Sequence, residues 1–127
     1  MFPRSLLTAA LLLSFTCAAQ DLGSLAGIWN ASFSTVTGIP RTAKIVIAGD
    51  SGTWQTAALN RDNPCIGREV PIAISNVTRE GFGLAVIGSK ALQGCPDSAW
   101  ELKRMDDDNY EGQFGDGRKF VLSRKGR

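Results

Sequence analysis

Along much of the chain apolar and polar residues alternate one for one, the period that gives an extended strand one buried face and one wet face. The plainest case lies between residues 100 and 124. Trp100, Leu102 and Arg104 alternate with Glu101, Lys103 and Met105, and Tyr110, Gly112 and Phe114 then alternate with Glu111 and Gln113. A three-residue loop, Gly115-Asp116-Gly117, with Gly117 in the left-handed position, predicts a hairpin that sets Phe114 opposite Arg118, Gly112 opposite Phe120 and Tyr110 opposite Leu122. That register collects the apolar side chains on one face.

The same reading runs backwards through the chain. Residues 25–33 form a first strand with Trp29, Ala31 and Phe33 on one face, and Thr37-Gly38-Ile39-Pro40 is a turn. Residues 43–48 and 53–58 pair across a two-residue loop at Asp50-Ser51, which sets Ile47 against Trp54, Ile45 against Thr56 and Ala43 against Ala58. Residues 70–77 and 82–88 pair across a loop with Gly81 in the left-handed position, which sets Asn76 against Leu84, Ile74 against Val86 and Ile72 against Gly88. Pro71 has no backbone donor and points outward, as suits a strand edge or bulge. Breaker-rich loops at residues 60–69 and 90–97 carry Cys65 and Cys95. No helix is expected. The pattern therefore predicts an all-β fold of about eight strands joined in sequence, and closing the last onto the first removes exposed edges. The expected architecture is a small eight-stranded antiparallel up-and-down barrel, with a six-stranded barrel or a β-sandwich as the alternative.

The first residues depart from this pattern. Arg4, an apolar run from Leu6 to Phe15 and the small-residue exit Cys17-Ala18-Ala19 read as a secretory signal peptide over residues 1–19, cut before Gln20. The run is too short for a membrane span of about twenty residues. Lipidation at Cys17 is a minor alternative, disfavoured by the Ser14-Phe15-Thr16 approach. Residues 20–127 then form one domain, exported to a periplasm or secreted. Its remaining cysteines, Cys65 and Cys95, read as a structural disulfide in that oxidising setting; a loop of about thirty residues closed in this way contributes roughly 3 to 4 kcal/mol.

Charge and chemistry narrow the function. The formal net charge of +2 is spread among acids, with only Arg124-Lys125-Gly126-Arg127 concentrated at the end, so nucleic acid is not an expected partner. The chain has no histidine, which excludes Ser-His and Cys-His nucleophile pairs and histidine-bearing zinc sites. Asp106-Asp107-Asp108 reads as a solvated turn in preference to a cation loop, whose ligands usually alternate. Glu101 and Glu111 fall on the polar face and do not read as a paired acid/base site. The protein is not expected to be an enzyme, and no cofactor or metal is implied.

Gly27-Ile28-Trp29 at the start of strand one, with Arg124 at the end of the last, resembles the calycin arrangement of lipocalins and avidins, in which the arginine packs across the tryptophan near the closed end of the barrel. Within that group the chain is most similar to small periplasmic inhibitors of serralysin-type metalloproteases. The residues behind that likeness are Leu25-Ala26-Gly27-x-Trp29, Gly49-Asp50, Asp116-Gly117 and Leu122-x-Arg124-Lys125, after a signal peptide. The resemblance implies a rigid barrel whose N-terminal arm enters a protease cleft. Two functions stay open. One is a protein-binding module, an inhibitor of a protease or other hydrolase, acting through the arm at Gln20, Asp21 and Leu22 or through the Cys65 and Cys95 loops on another exported protein. The other is a small-ligand carrier using the barrel interior. The binding candidates are those three arm residues with Trp29, Trp54, Trp100 and Arg124. The interior volume decides between them: Trp29, Phe33, Trp54, Trp100, Tyr110, Phe114 and Phe120 would largely fill a narrow barrel, which favours the binding module.

Overall fold

A computed structural model of the chain describes residues 22–57 and 62–126. Residues 1–19, read above as a signal peptide, and Gln20 and Asp21 lie outside the described residues. Eight strands follow a short 3-10 turn at Leu22–Leu25: β1 Gly27–Ser34, β2 Pro40–Ala48, β3 Ser51–Thr56, β4 Val70–Ser75, β5 Gly81–Ile87, β6 Asp97–Asp106, β7 Asn109–Gln113 and β8 Lys119–Gly126. Each pairs antiparallel with the next, and β8 pairs with β1 through Trp29 with Arg124 and Ala31 with Leu122, closing the barrel. All-β alternation thus resolves as the expected eight-stranded up-and-down closure, which leaves no free edge.

The β7–β8 hairpin has the expected register, with Gly112 opposite Phe120 and Tyr110 opposite Leu122. Gly117 has φ +93°, and its N–H donates to Phe114 O at 3.0 Å. Two other hairpins are displaced by two residues from expectation. In β2–β3 the pairs are Ile45 with Trp54 and Ala43 with Thr56, because Gly49-Asp50, not Asp50-Ser51, is the loop. Gly49 takes φ +66° at the first loop position, where a type II′ turn needs glycine. In β4–β5 the pairs are Ile74 with Leu84 and Ile72 with Val86. Here the turn's left-handed residue is Asn76, at φ +51°; Gly81 also has a positive φ, +156°, but it already lies in β5 opposite Lys103. Thr78 closes that turn, its N–H donating to Gly81 O at 2.8 Å and its hydroxyl oxygen accepting from Glu80 N–H at 3.2 Å. Pro71 pairs with Thr53 inside β4, so it occupies neither an edge nor a bulge, although its side chain does face outward.

The connection after β5 also differs from the expected plain loop. It begins with a single helical turn, α1, Gly88–Ala91, and Asp97 accepts from Ser89 N–H at 2.9 Å and Ser89 Oγ at 3.0 Å. Cys65 and Cys95 form a disulfide with Cα atoms 5.6 Å apart, tying the loop before β4 to the loop after β5.

The inward residues pack against one another from the Trp29 end up to the ring cluster around Phe120. Around Trp29 and Leu25 the rings of Trp29 and Tyr110 lie 5.6 Å apart, and those of Phe82 and Tyr110 lie 5.0 Å apart. Higher up, Phe120 meets Trp100 at 5.2 Å and Phe114 at 4.7 Å, and Trp54 meets Trp100 at 5.7 Å. Edge-to-face and tilted contacts of this kind add about 0.5 to 1.5 kcal/mol each beyond the burial of area. Trp29, Phe82, Phe120, Leu25, Ile45 and Leu122 are all fully buried.

Candidate functional site

Strand direction sorts the loops into two ends. The 3-10 turn, the Gly49-Asp50 turn, the 76–80 turn and the Asp107-Asp108 turn share one end. The loops 35–39, 88–96 and 114–118, with the described residues 62–69 before β4, share the other.

The first end is closed. Trp29 donates its indole N–H to Leu25 O at 2.8 Å, and the Arg124 guanidinium lies over the Trp29 ring at 4.2 Å from its centroid. The same guanidinium donates to Ser24 O at 2.7 Å, Ala26 O at 3.0 Å and Asp108 Oδ1 at 2.9 Å. A single cation thereby satisfies carbonyls of the incoming chain and a carboxylate of the β6–β7 turn. Trp29 and Arg124 are thus brought together, as the Gly-x-Trp pattern with a terminal arginine implied, in a seal with little exposed surface. Burial pushes the nearby Tyr110 phenol up, against the pull of Arg104 and Arg124.

The three aspartates at this end are engaged within the turn. Asp106 accepts from Asp108 N–H at 2.9 Å and from the Asn109 amide, which hold its carboxyl below the ordinary range. Asp107 pairs with Arg104 at 2.5 Å and Asp108 with Arg124. Glu111 sits opposite Lys103 and pairs with Lys119 at 3.1 Å, so the structure does not bring it together with Glu101.

The other end is open and mixed in character. Phe33, Trp100 and Phe114 are only partly buried there; Trp100 and Phe114 pack on the fully buried Phe120, and Phe33 packs on Phe114. Arg118 covers one side, with its guanidinium 4.8 Å from the Phe114 centroid, its Nε donating to Asp116 at 2.6 Å and its Nη1 donating to Ser34 O. These bonds hold the Asp116 carboxyl below its usual value. On the other side, beneath the disulfide, lies a cavity of about 300 Å³. Trp54, Val70 and Val86 line it from the strands and Ile66, Cys65 and Cys95 from the loops, with Thr56, Asn63 and Arg68 as polar lining. Large apolar side chains also stand in water at this end: Val36 is 82% exposed and Ile39 48% exposed, and Ile66 is exposed as well.

The candidate tryptophans are therefore split. Trp29 belongs to the closed end, whereas Trp54 and Trp100 meet in the open half and Trp54 lines the cavity. Gln20 and Asp21 lie outside the described residues; Leu22 begins the 3-10 turn, so the chain comes into β1 at the closed end, opposite the disulfide loops. Sequence reading did not single out Asn63, Ile66 or Arg68, because a loop carries no periodicity; the signal at hand was their nearness to Cys65. It also left Phe82 out of the interior, although Phe82 alternates in step with Leu84 and Val86 and lies on their inward face beside Tyr110.

No family model matches the chain, and no curated protein matches it. Among solved structures it is similar to a redesigned beta barrel, at 13% identity and a TM-score of 0.48 over 83% of this chain and 95% of that one. It is also similar to a de novo designed fluorescence-activating beta barrel, at 16% identity and a TM-score of 0.47 over 82% of this chain and 96% of that one.

Proposed function

We propose that this chain is an exported, non-catalytic binding protein that engages another exported protein through the loops at the open end of its barrel, in the manner of a hydrolase inhibitor. The observation that carries this reading is the placement of apolar surface. The barrel has a packed aromatic core, yet Val36 and Ile39 stand in water on the 35–39 loop and Ile66 does so in the segment before β4. Apolar groups held out by loops on a stiff frame are the kind of surface a partner covers.

Several features support the rest of the reading. A disulfide between two loops suits an oxidising compartment, in agreement with the leader-like residues 1–19. The absence of histidine from the chain, the oxidised state of Cys65 and Cys95 and the internal engagement of the Asp106–Asp108 carboxylates all favour a non-catalytic role. The Arg124–Trp29 stack fits the calycin resemblance and, with it, the likeness to protease inhibitors. Of the two surfaces expected to work, the disulfide loops are favoured over the N-terminal arm, since the rim apolar groups share their end of the barrel. The filled interior disfavours a carrier with its ligand on the barrel axis.

The test is affinity capture of exported proteins by wild type, by Val36→Asp with Ile39→Asp, and by Met105→Asp, a control at the exposed bulge near the closed end. A partner held by wild type and the control but lost by the double variant is the expected outcome. Retention by the double variant, or loss by Met105→Asp, would place the working surface elsewhere.

A further inference from the structure

The cavity beneath the disulfide has a polar edge with a definite sense. Thr56 Oγ1 accepts from the Trp54 indole N–H at 3.0 Å, and its own hydroxyl proton remains to be donated. Asn63 Oδ1 accepts from Cys65 N–H at 3.0 Å, which leaves its amide N–H groups to donate. Arg68 donates Nε to Pro64 O at 3.1 Å, and its two Nη groups have no partner among the described residues. Local bonds thus engage one lone pair on each of Thr56 Oγ1 and Asn63 Oδ1 while the hydroxyl and amide donors of both stay available, and Arg68 is a donor alone. None of the described lining residues is acidic, and the remaining lining comes from Trp54, Ile66, Val70, Val86, Gly88, Pro96 and the disulfide.

From this arrangement we propose that the cavity is a binding site for a small free carboxylate with a compact apolar body, its ring or chain against Trp54, Val70 and Val86 and its carboxylate toward Arg68, Asn63 and Thr56. A volume of about 300 Å³ stands at the lower end for small-ligand pockets, which run from about 300 to 1,000 Å³. The guanidinium fork matches a planar carboxylate, and a neutral isostere cannot take up its charge. The Cys65–Cys95 bridge bounds the cavity, so the site accepts a compact body more readily than an extended chain. This site meets the apolar rim at Ile66 but includes neither Val36 nor Ile39, and it does not depend on a protein partner.

The probes are naphthalene-2-carboxylate, its neutral carboxamide, and an N-acetylated tripeptide ending in phenylalanine, each titrated into the disulfide-bonded protein by calorimetry and amide chemical-shift mapping. The expected result is saturable binding of the naphthoate with shifts at Asn63, Ile66, Arg68 and Val86, and a preference over the carboxamide of about tenfold. Arg68→Gln, a change at an exposed side chain, should erase that preference while leaving the melting temperature unchanged. Val86→Trp, which fills the cavity, should abolish binding of both naphthalene probes. No saturable naphthoate binding, equal affinity for the two naphthalene probes, an undiminished preference in Arg68→Gln, or binding of the tripeptide in place of the naphthoate would overturn the proposal.

Discussion

Arg124 joins three parts of the chain through one side chain: it stacks on Trp29, satisfies Ser24 O and Ala26 O, and pairs with Asp108. Its side chain is only 7% exposed, so truncation leaves partners in a dry setting. Arg124→Ala should therefore cost about 2 to 4 kcal/mol by urea denaturation, from the lost cation–π contact and the orphaned acceptors. Arg124→Lys should restore less than half of that, since an ammonium cannot reach all these acceptors from one plane; full rescue by lysine would show that charge alone matters there. At the opposite end the decisive group is a missing one. A Cβ on Gly112 would lie 2.3 Å from Phe120 Cζ and 2.5 Å from Leu102 Cδ2, so Gly112→Ala should cost about 1 to 3 kcal/mol through overpacking. A neutral result in the same denaturation assay would mean that the Phe120 ring has room to move. The Arg124–Trp29 pair was legible in sequence from Gly27-x-Trp29 and the terminal arginine. The donors Asn63 and Arg68 were not, because their roles come from loop geometry that no spacing encodes.

At the scale of elements, the alternation of Ile45, Ile47 and Trp54 told which face is buried but not which rung is paired. A slip of two residues keeps every side chain on its face, so the hydrophobic pattern is blind to it and the turn decides. Gly117 made the β7–β8 turn unambiguous, whereas Gly49-Asp50-Ser51-Gly52 offered glycine at either boundary and the 76–80 turn uses Asn76 in place of a glycine. The disulfide bridges loops and leaves the strand ladders untouched. Reduction should lower stability by about 3 to 4 kcal/mol from loop entropy while far-UV circular dichroism keeps its β signal; loss of that signal at room temperature would make the staple a condition of folding. Carboxylates organise three connections. Ser89 holds Asp97, the Asp108 N–H and the Asn109 amide hold Asp106, and Arg118 holds Asp116, each below the ordinary carboxylate value. A depressed folded pKa means that the unfolded chain takes up protons first, so this stabilisation is present above about pH 4 and is lost as the pH falls further. The melting temperature should fall on acidification below that point, and the fall should be shallower in Asp106→Asn. An identical acid slope in the variant would remove Asp106 from the explanation.

For the molecule as a whole, closure of β8 on β1 produces a narrow barrel whose own side chains form its core, and the proposed function therefore assigns binding to the loops. The eight-strand count and the aromatic interior were readable from period-two alternation. The division into a sealed end and an open end was not, because it depends on which loops the strand directions bring together. Phe120 is the side chain that tests the filled interior most directly. It is 1% exposed and its ring meets those of Trp54, Trp100 and Phe114 between the sealed end and the mouth. The measurement is the unfolding free energy of Phe120→Ala against wild type by urea denaturation with the disulfide intact. A packed barrel predicts a loss of about 3 to 5 kcal/mol. A loss under about 1 kcal/mol, the cost of a site that already borders empty space, would contradict the filled interior and return the barrel axis to contention as a ligand site.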